Sequence, residues 1–316
     1  MPRFKIVVPD DFPRVLSGST AEDRLRALGD VTIHSERGAD QEVELIRRIG
    51  NASIALNIRA HARFSAQVLD ACSTLRLISI WGTGTDHVDL DACHARGVTV
   101  VGTPGANANA VAEHAIALML AGLRRIPTLD AELRRGDWAR APIAQLEGKT
   151  LGIVGLGAIG RRVAALAAPF GVHLLASTSG PDNGRAAACG AVHVPIEQLL
   201  TESDVVSLHL RLDPTTIGYL SRSRLSLMKP TAWLVNTARG ALVDRDALLD
   251  ALQKERIAGA ALDVFHEEPL EGADPLRALP NVVLTPHIAG NTPEVIDGGL
   301  ALAVANIESF LRDRGT

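Results

Sequence analysis

Three short segments carry side chains of the kinds that grip anions and move protons. NTARG (236–240) holds Arg239, LDVFHEEP (262–269) holds Asp263 and the adjacent Glu267 and Glu268, and TPHIAG (285–290) holds His287. An arginine fork can hold a carboxylate and stabilise a developing alkoxide, and a histidine held by a carboxylate can deliver or take the accompanying proton. That is the set needed for hydride addition to the carbonyl of a 2-oxo acid. Each segment also has a plain structural explanation. Arginine after a strand commonly makes a surface salt bridge, an acidic pair before proline is commonly a solvated loop, and a histidine after proline is commonly structural. Their joint presence at strand-to-loop transitions points to a reacting centre.

Upstream, LGIVGLGAIG (151–160) places Gly155, Gly157 and Gly160 as GxGxxG between an apolar strand and a helix-like run over 161–170. Gly155 permits the tight turn, Gly157 lets backbone approach a pyrophosphate, and Gly160 lets helix and strand pack closely. The amides of Ala158, Ile159 and Gly160 at the helix start face the anion. Glycine-rich turns are common, and the strand before and helix after carry this dinucleotide reading. An NAD site normally has an acidic residue at the end of the next strand. Here that strand, VHLLAS, runs into Ser177, Thr178, Ser179 and Gly180, with Asp182 slightly beyond and Arg185 nearby. Hydroxyls near an arginine suit a 2′-phosphate, so NADP is expected ahead of NAD, with dual use next and an ordinary polar turn as the alternative.

The elements that must position these groups follow a βαβα rhythm. Short apolar runs (FKIVV, VTIHS, SIALNI, LRLISIW, VTVVG) alternate with amphipathic stretches, and a second cycle follows with TLGIVG, VHLLAS, VVSLHL, TAWLVNTA, GAALDV and NVVLTP. The expected fold is α/β with two doubly wound parallel-sheet lobes, a Rossmann cofactor domain and a discontinuous flavodoxin-like substrate domain. A length of 316 residues fits about two domains. Turn residues at GTPG (102–105) and at Thr285-Pro286 mark the crossings, giving a substrate domain of 1–101 plus 289–316 and a cofactor domain of 102–288. The helix from about 293 to 311 would return to the first lobe.

Composition bounds the rest. The chain is 47% hydrophobic and 22% charged with net charge −4, which recruits neither nucleic acid nor a membrane surface. Cys72, Cys93 and Cys189 lie far apart with no CxxC spacing, pointing to a reducing, cytoplasmic setting. The start, MPRFKIVVPDDF, is wrong for a signal peptide, and no apolar stretch reaches membrane-spanning length. The remaining histidines form no HExxH or other metal spacing, so no metal is expected.

Taken together, GLGAIG, NTARG, DVFHEEP and TPHIAG, preceded by GTGTDHVDL (82–90) and GTPGANANAVAEHAIALML (102–120), resemble the D-isomer-specific 2-hydroxyacid dehydrogenase family. That family includes glyoxylate/hydroxypyruvate reductases and D-3-phosphoglycerate dehydrogenases, and the resemblance spans nearly the whole chain. It implies His287 as general acid/base and Arg239 as substrate clamp. Glu268 is implied as the histidine's partner in preference to Glu267, because the family pattern places that carboxylate immediately before proline. Asp263 would bond the nicotinamide carboxamide, and Thr237, Ala238 and His209 would border the cofactor. Backbone amides at Thr83 and Gly84 would take the substrate carboxylate, with Arg59 as a substrate-side cation. Two positions depart from the pattern. Arg211 stands where proline is usual, and Ile80 stands where members acting on phosphoglycerate carry arginine. The expected activity is hydride transfer between NADP or NAD and a small D-2-hydroxy or 2-oxo acid, glyoxylate or hydroxypyruvate being favoured. The alternatives are a D-3-phosphoglycerate dehydrogenase, a formate or phosphite dehydrogenase, and a dinucleotide-sensing scaffold without turnover. The stretch 107–138 resembles the family's dimerisation region, so a homodimer is expected.

Overall fold

A computed structural model describes residues 4–58, 60–178, 180, 182 and 184–313. The chain divides into two compact units, residues 1–107 with 291–316, and residues 108–290. Both edges fall a few residues later than expected, for local reasons. Thr103 stays with the first unit because its amide donates to the Gly82 carbonyl at 2.8 Å and its hydroxyl accepts from the Gly82 amide at 2.9 Å. Ile288 and Ala289 stay with the second, since their amides donate to the Asp263 carboxylate at 3.0 and 2.9 Å.

The first unit is built on a five-stranded parallel sheet of β1 (Phe4–Val8), β2 (Gly29–Ile33), β3 (Ile54–Asn57), β4 (Leu77–Ile80) and β5 (Thr99–Val101), in the order β2-β1-β3-β4-β5. β3 and β4 are buried at every position, which is why they read as continuous apolar runs without alternation. The helix Pro293–Asp313 closes one face with Leu300, Ala303, Val304 and Ile307, all inaccessible to solvent. Proline at its first position and the Thr292 hydroxyl, which accepts from the Val295 amide at 3.3 Å, start it cleanly. Gly299 sits inside this helix where any Cβ would overlap the Trp81 indole nitrogen. The helix thereby seats the residue that precedes the Gly82–Gly84 loop.

The second unit carries seven parallel strands: β6 (Thr150–Val154), β7 (His173–Ser177), β8 (Val192–His193), β9 (Val205–Leu208), β10 (Trp233–Asn236), β11 (Gly259–Leu262) and β12 (Val282–Leu284). Their order is β12-β11-β10-β9-β6-β7-β8. β8 escapes the sequence reading because it has only two residues, both exposed. The helix Ala108–Leu123 packs tightly across the sheet; a Cβ on Gly122 would lie 2.5 Å from Cε3 of Trp233. Arg125, at φ 52°, breaks the chain into a second helix, Ile126–Arg134, which has no buried residue. Among the described residues no helix is long and apolar enough to cross a membrane.

Candidate active site

In both sheets the strand order reverses direction once, between β1 and β3 in the first unit and between β6 and β9 in the second. The carboxyl ends at such a point diverge and leave a crevice. β6 ends in the glycine loop. Gly155 has φ 99°, and a Cβ there would come within 2.7 Å of the His209 carbonyl at the end of β9. A Cβ on Gly160 would overlap the Gly155 carbonyl, so the helix Ala158–Ala167 can press against the turn only as glycine. Gly157 is the opposite case: a Cβ there meets nothing within 4 Å, and the helix N-terminus it precedes has no side-chain cap. Open space before uncapped amides is what a pyrophosphate requires.

Two polar atoms in the same region are buried with no hydrogen-bond partner, Nδ1 of His209 and Oγ1 of Thr237. Burial pushes the His209 imidazole down to about 4, so it is neutral near pH 7, with Nε2 bonded to the Ser207 hydroxyl at 2.9 Å. Orphaned buried groups are costly unless something absent completes them. The residues present therefore fit a dinucleotide. At the end of β7, Ser177 is buried, its carbonyl accepting from the Gly155 amide at 2.8 Å, and the Thr178 hydroxyl donates to the Gly180 carbonyl at 2.5 Å. Ser179 lies outside the described residues. The Asp182 carboxylate accepts from the Ala186 amide at 2.9 Å, and the Asp182 carbonyl accepts from Arg185 Nε at 2.9 Å. Asp182 thus caps the next turn instead of supplying a carboxylate at the strand tip.

The polar segments lie at the ends of β10, β11 and β12. The buried Asn236 shapes the NTARG turn at both ends, its Nδ2 donating to the Arg239 carbonyl at 2.8 Å and its Oδ1 accepting from the Ala238 amide at 3.0 Å. Arg239 is half-buried, with Nη1 donating to the Ala238 carbonyl at 2.8 Å. His287 Nδ1 lies 2.6 Å from Glu268 Oε2, and the other oxygen of Glu268 accepts from the Phe265 amide at 3.0 Å. A carboxylate can only accept, so the ring carries a proton on Nδ1, and Nε2 is left out of this bond. It is Glu268, and not Glu267, that meets the histidine. The pair is partly exposed, 42% for His287 and 36% for Glu268.

His287 has φ 52°, a backbone conformation that costs a non-glycine residue about 1–3 kcal/mol unless its surroundings enforce it. The enforcement comes from Asp263, which is fully buried. Its Oδ1 accepts from the Thr285 hydroxyl at 2.6 Å and the Ile288 amide at 3.0 Å, and its Oδ2 from the Ala289 amide at 2.9 Å. Burial alone would raise the Asp263 carboxyl, but His114, Thr285 and the two amides together hold it below the usual carboxylate range. Sequence reasoning attached Asp263 only to the cofactor and missed this anchoring role.

In the first unit, the Gly82–Gly84 loop leaves β4 with Gly82 at φ 146° and is tied to Thr103. Among the described residues, the amides of Thr83 and Gly84 donate to no other group. Arg59 lies outside the described residues. His61 Nε2 meets Asp10 Oδ2 at 2.9 Å, and Asp10 is fully buried with Arg48 Nη1 3.9 Å away. This pair at the β1/β3 reversal joins residues 51 positions apart, and no local pattern in the sequence marks it.

Comparison with known proteins gives this arrangement a family. Residues 116–289 match the family model described as D-isomer specific 2-hydroxyacid dehydrogenase, NAD binding domain. The chain belongs to the D-isomer specific 2-hydroxyacid dehydrogenase family. It is 40% identical over 291 residues to D-3-phosphoglycerate dehydrogenase of Mycobacterium leprae, covering 91% of this chain and 54% of that protein. Against glyoxylate reductase of Thermococcus litoralis it is 40% identical over 255 residues, 78% of this chain and 77% of the relative. Among solved structures, an acyclic imino acid reductase in complex with NADPH and D-Arg superposes with TM-score 0.88 at 30% identity, covering 98% of both chains. The chain spans about half the length (54%) of the D-3-phosphoglycerate dehydrogenase it matches.

Proposed function

We propose that this protein is a nicotinamide-dependent dehydrogenase interconverting a small 2-oxo acid and its D-2-hydroxy acid. The observation that carries the reading is the His287–Glu268 pair, 2.6 Å apart, with Glu268 fixed from its other oxygen and the bond made through Nδ1, so that Nε2 is not used by it. The second unit takes the dinucleotide, with the amides of Ala158, Ile159 and Gly160 on the pyrophosphate and His209 and Thr237 completed by the bound cofactor. When bound, the reduced nicotinamide supplies the hydride. Arg239 grips the substrate carboxylate and carbonyl oxygen. His287 as imidazolium gives its Nε2 proton to the carbonyl oxygen, and Glu268 holds the ring and balances its charge. In the reverse direction the neutral ring takes the hydroxyl proton at the same atom.

NADP is the preferred cofactor in this reading. The tip of β7 offers Thr178 with no carboxylate to repel a 2′-phosphate, and Asp182 is engaged in capping. The imino acid reductase with the same fold holds NADPH. An unphosphorylated acid such as glyoxylate or hydroxypyruvate is the preferred substrate, because Ile80, buried in β4, stands where a phosphate-reading arginine would be. Buried, unpaired Cys72 and Cys93 suit a reducing cytoplasm. The exposed apolar side chains Ile126, Leu133, Trp138 and Ile143 supply a surface for a homodimer.

Nicotinamide absorbance with NADH and NADPH, against glyoxylate, hydroxypyruvate, pyruvate and phosphohydroxypyruvate, tests the reading. The expected result is consumption of NADPH with an unphosphorylated acid. Thr178→Asp should then shift the kcat/KM ratio toward NADH by at least about tenfold, since each 1.4 kcal/mol is a factor of ten. Binding of both cofactors with no turnover of any acid would favour the dinucleotide-sensing scaffold.

A further inference from the structure

We infer that His114 is a positioning residue for His287, acting from the helix Ala108–Leu123 through Thr285 and Asp263. This rests on the reading of His287 as the proton donor. His114 Nε2 lies 3.0 Å from the Thr285 hydroxyl and 3.5 Å from Asp263 Oδ1. The single hydroxyl proton of Thr285 is already donated to Asp263 Oδ1 at 2.6 Å. The oxygen of Thr285 therefore presents a lone pair to His114, and Nε2 of His114 must carry a proton. The result is a directed chain, His114 Nε2–H to Thr285 Oγ1–H to Asp263 Oδ1, ending on the carboxylate that ties Thr285, before the left-handed turn at His287, to the Ile288 and Ala289 amides just after it. Bonds in such a chain polarise one another, so the first donor strengthens the last.

His114 is 21% exposed, so apolar burial does not account for a histidine there. Without its donor, the Thr285 hydroxyl can turn away from Asp263. The buried carboxylate then loses one of its donors, and the turn carrying His287 loosens. The protein would still bind the dinucleotide through the glycine loop and the Thr237 turn, which are separate from this chain; Asp263, the one expected cofactor contact within it, keeps its two backbone donors. It would present Nε2 less accurately, and an error of about 1 Å in a reacting group can cost about 100-fold in rate.

The test is a double-mutant cycle on the full chain, His114→Leu, Thr285→Val and both together, read as kcat and KM for 2-oxo acid reduction. Cofactor affinity is followed by NADPH fluorescence, and His114→Gln and Thr285→Ser serve as conservative variants. We expect each single loss to lower kcat by about 10- to 100-fold with cofactor affinity within about twofold, and the double variant to be no worse than either. His114→Gln, which restores an N–H donor, and Thr285→Ser should recover most of the rate. A kcat unchanged in His114→Leu, or losses that multiply in the double variant, would overturn the proposal. If His114→Leu fails to fold, the contrast between Thr285→Val and Thr285→Ser decides the matter. His287→Ala separates the two readings. Activity surviving that change removes the proton-donor reading, whereas activity lost there but kept in His114→Leu removes only the positioning role.

Discussion

At the residue scale the chemistry turns on which carboxylate meets which nitrogen. Glu267 and Glu268 are neighbours of one type, and composition or spacing cannot separate them; the resemblance to a family pattern did so only by position before proline. The fold separates them physically, because the Phe265 amide pins one oxygen of Glu268 and leaves the other 2.6 Å from His287. His287→Ala should therefore lower kcat by about 10²–10⁴-fold, the usual worth of a general acid, while cofactor affinity stays near wild type. Glu268→Gln keeps an acceptor for Nδ1–H but removes the charge that balances imidazolium. It should lower kcat by a smaller factor than His287→Ala, measured in the same assay. Both predictions fail together if turnover survives the loss of His287.

At the element scale, all eleven apolar runs read from the sequence became strands, and reading them needed only local rules. A buried parallel strand is continuous in Val, Ile and Leu, and turn residues punctuate it. β8 escaped because it has only two residues, both exposed, and buries no face; the helix Ile126–Arg134 lies in the stretch read as helix-rich, but its separation from Ala108–Leu123 at Arg125 was not read. What loops do at strand ends was also hidden. Asp10 meets His61 across 51 positions, and its carboxyl, which burial alone would raise, is held below the usual range by His61 and the Ala39 and Phe12 amides. Because the folded value is lowered, Asp10 adds its full stability above the ordinary carboxylate value near pH 4 and loses it as pH falls through the lowered folded value. Denaturant unfolding at pH 7 and pH 3 should show this loss in the native chain. Asp10→Asn should cost about 3 kcal/mol at pH 7, as when one partner of a buried charged cluster is removed, and should flatten the dependence between the two pH values. Equal slopes in both proteins would assign the acid loss elsewhere.

At the scale of the whole molecule, each unit holds its own sheet and its own apolar core, and the C-terminal helix belongs to the first unit despite following the second in sequence. The surface of the second unit carries Leu133 at 57% and Trp138 at 77% exposure, large apolar groups that a lone chain leaves in water. If a second copy covers them, Leu133→Glu with Trp138→Glu should convert a dimer to a monomer in light scattering at micromolar concentration. A wild-type chain that is already monomeric there would end that reading.

The sequence by itself determined the α/β class, the order of strands and helices, the glycine loop and the family, because these follow from local periodicity, turn chemistry and motifs a few residues long. The Arg239, Glu268 and His287 segments were legible for the same reason. Only the tertiary structure decided what holds them. His114 and Thr285 are separated by 171 positions, and Asp263 and Ala289 by 26, so their hydrogen bonds exist only once the helix Ala108–Leu123 crosses the sheet and β11 lies beside β12. A buried carboxylate chooses its donors by what the fold brings within 3 Å, and no local pattern of residues records that choice.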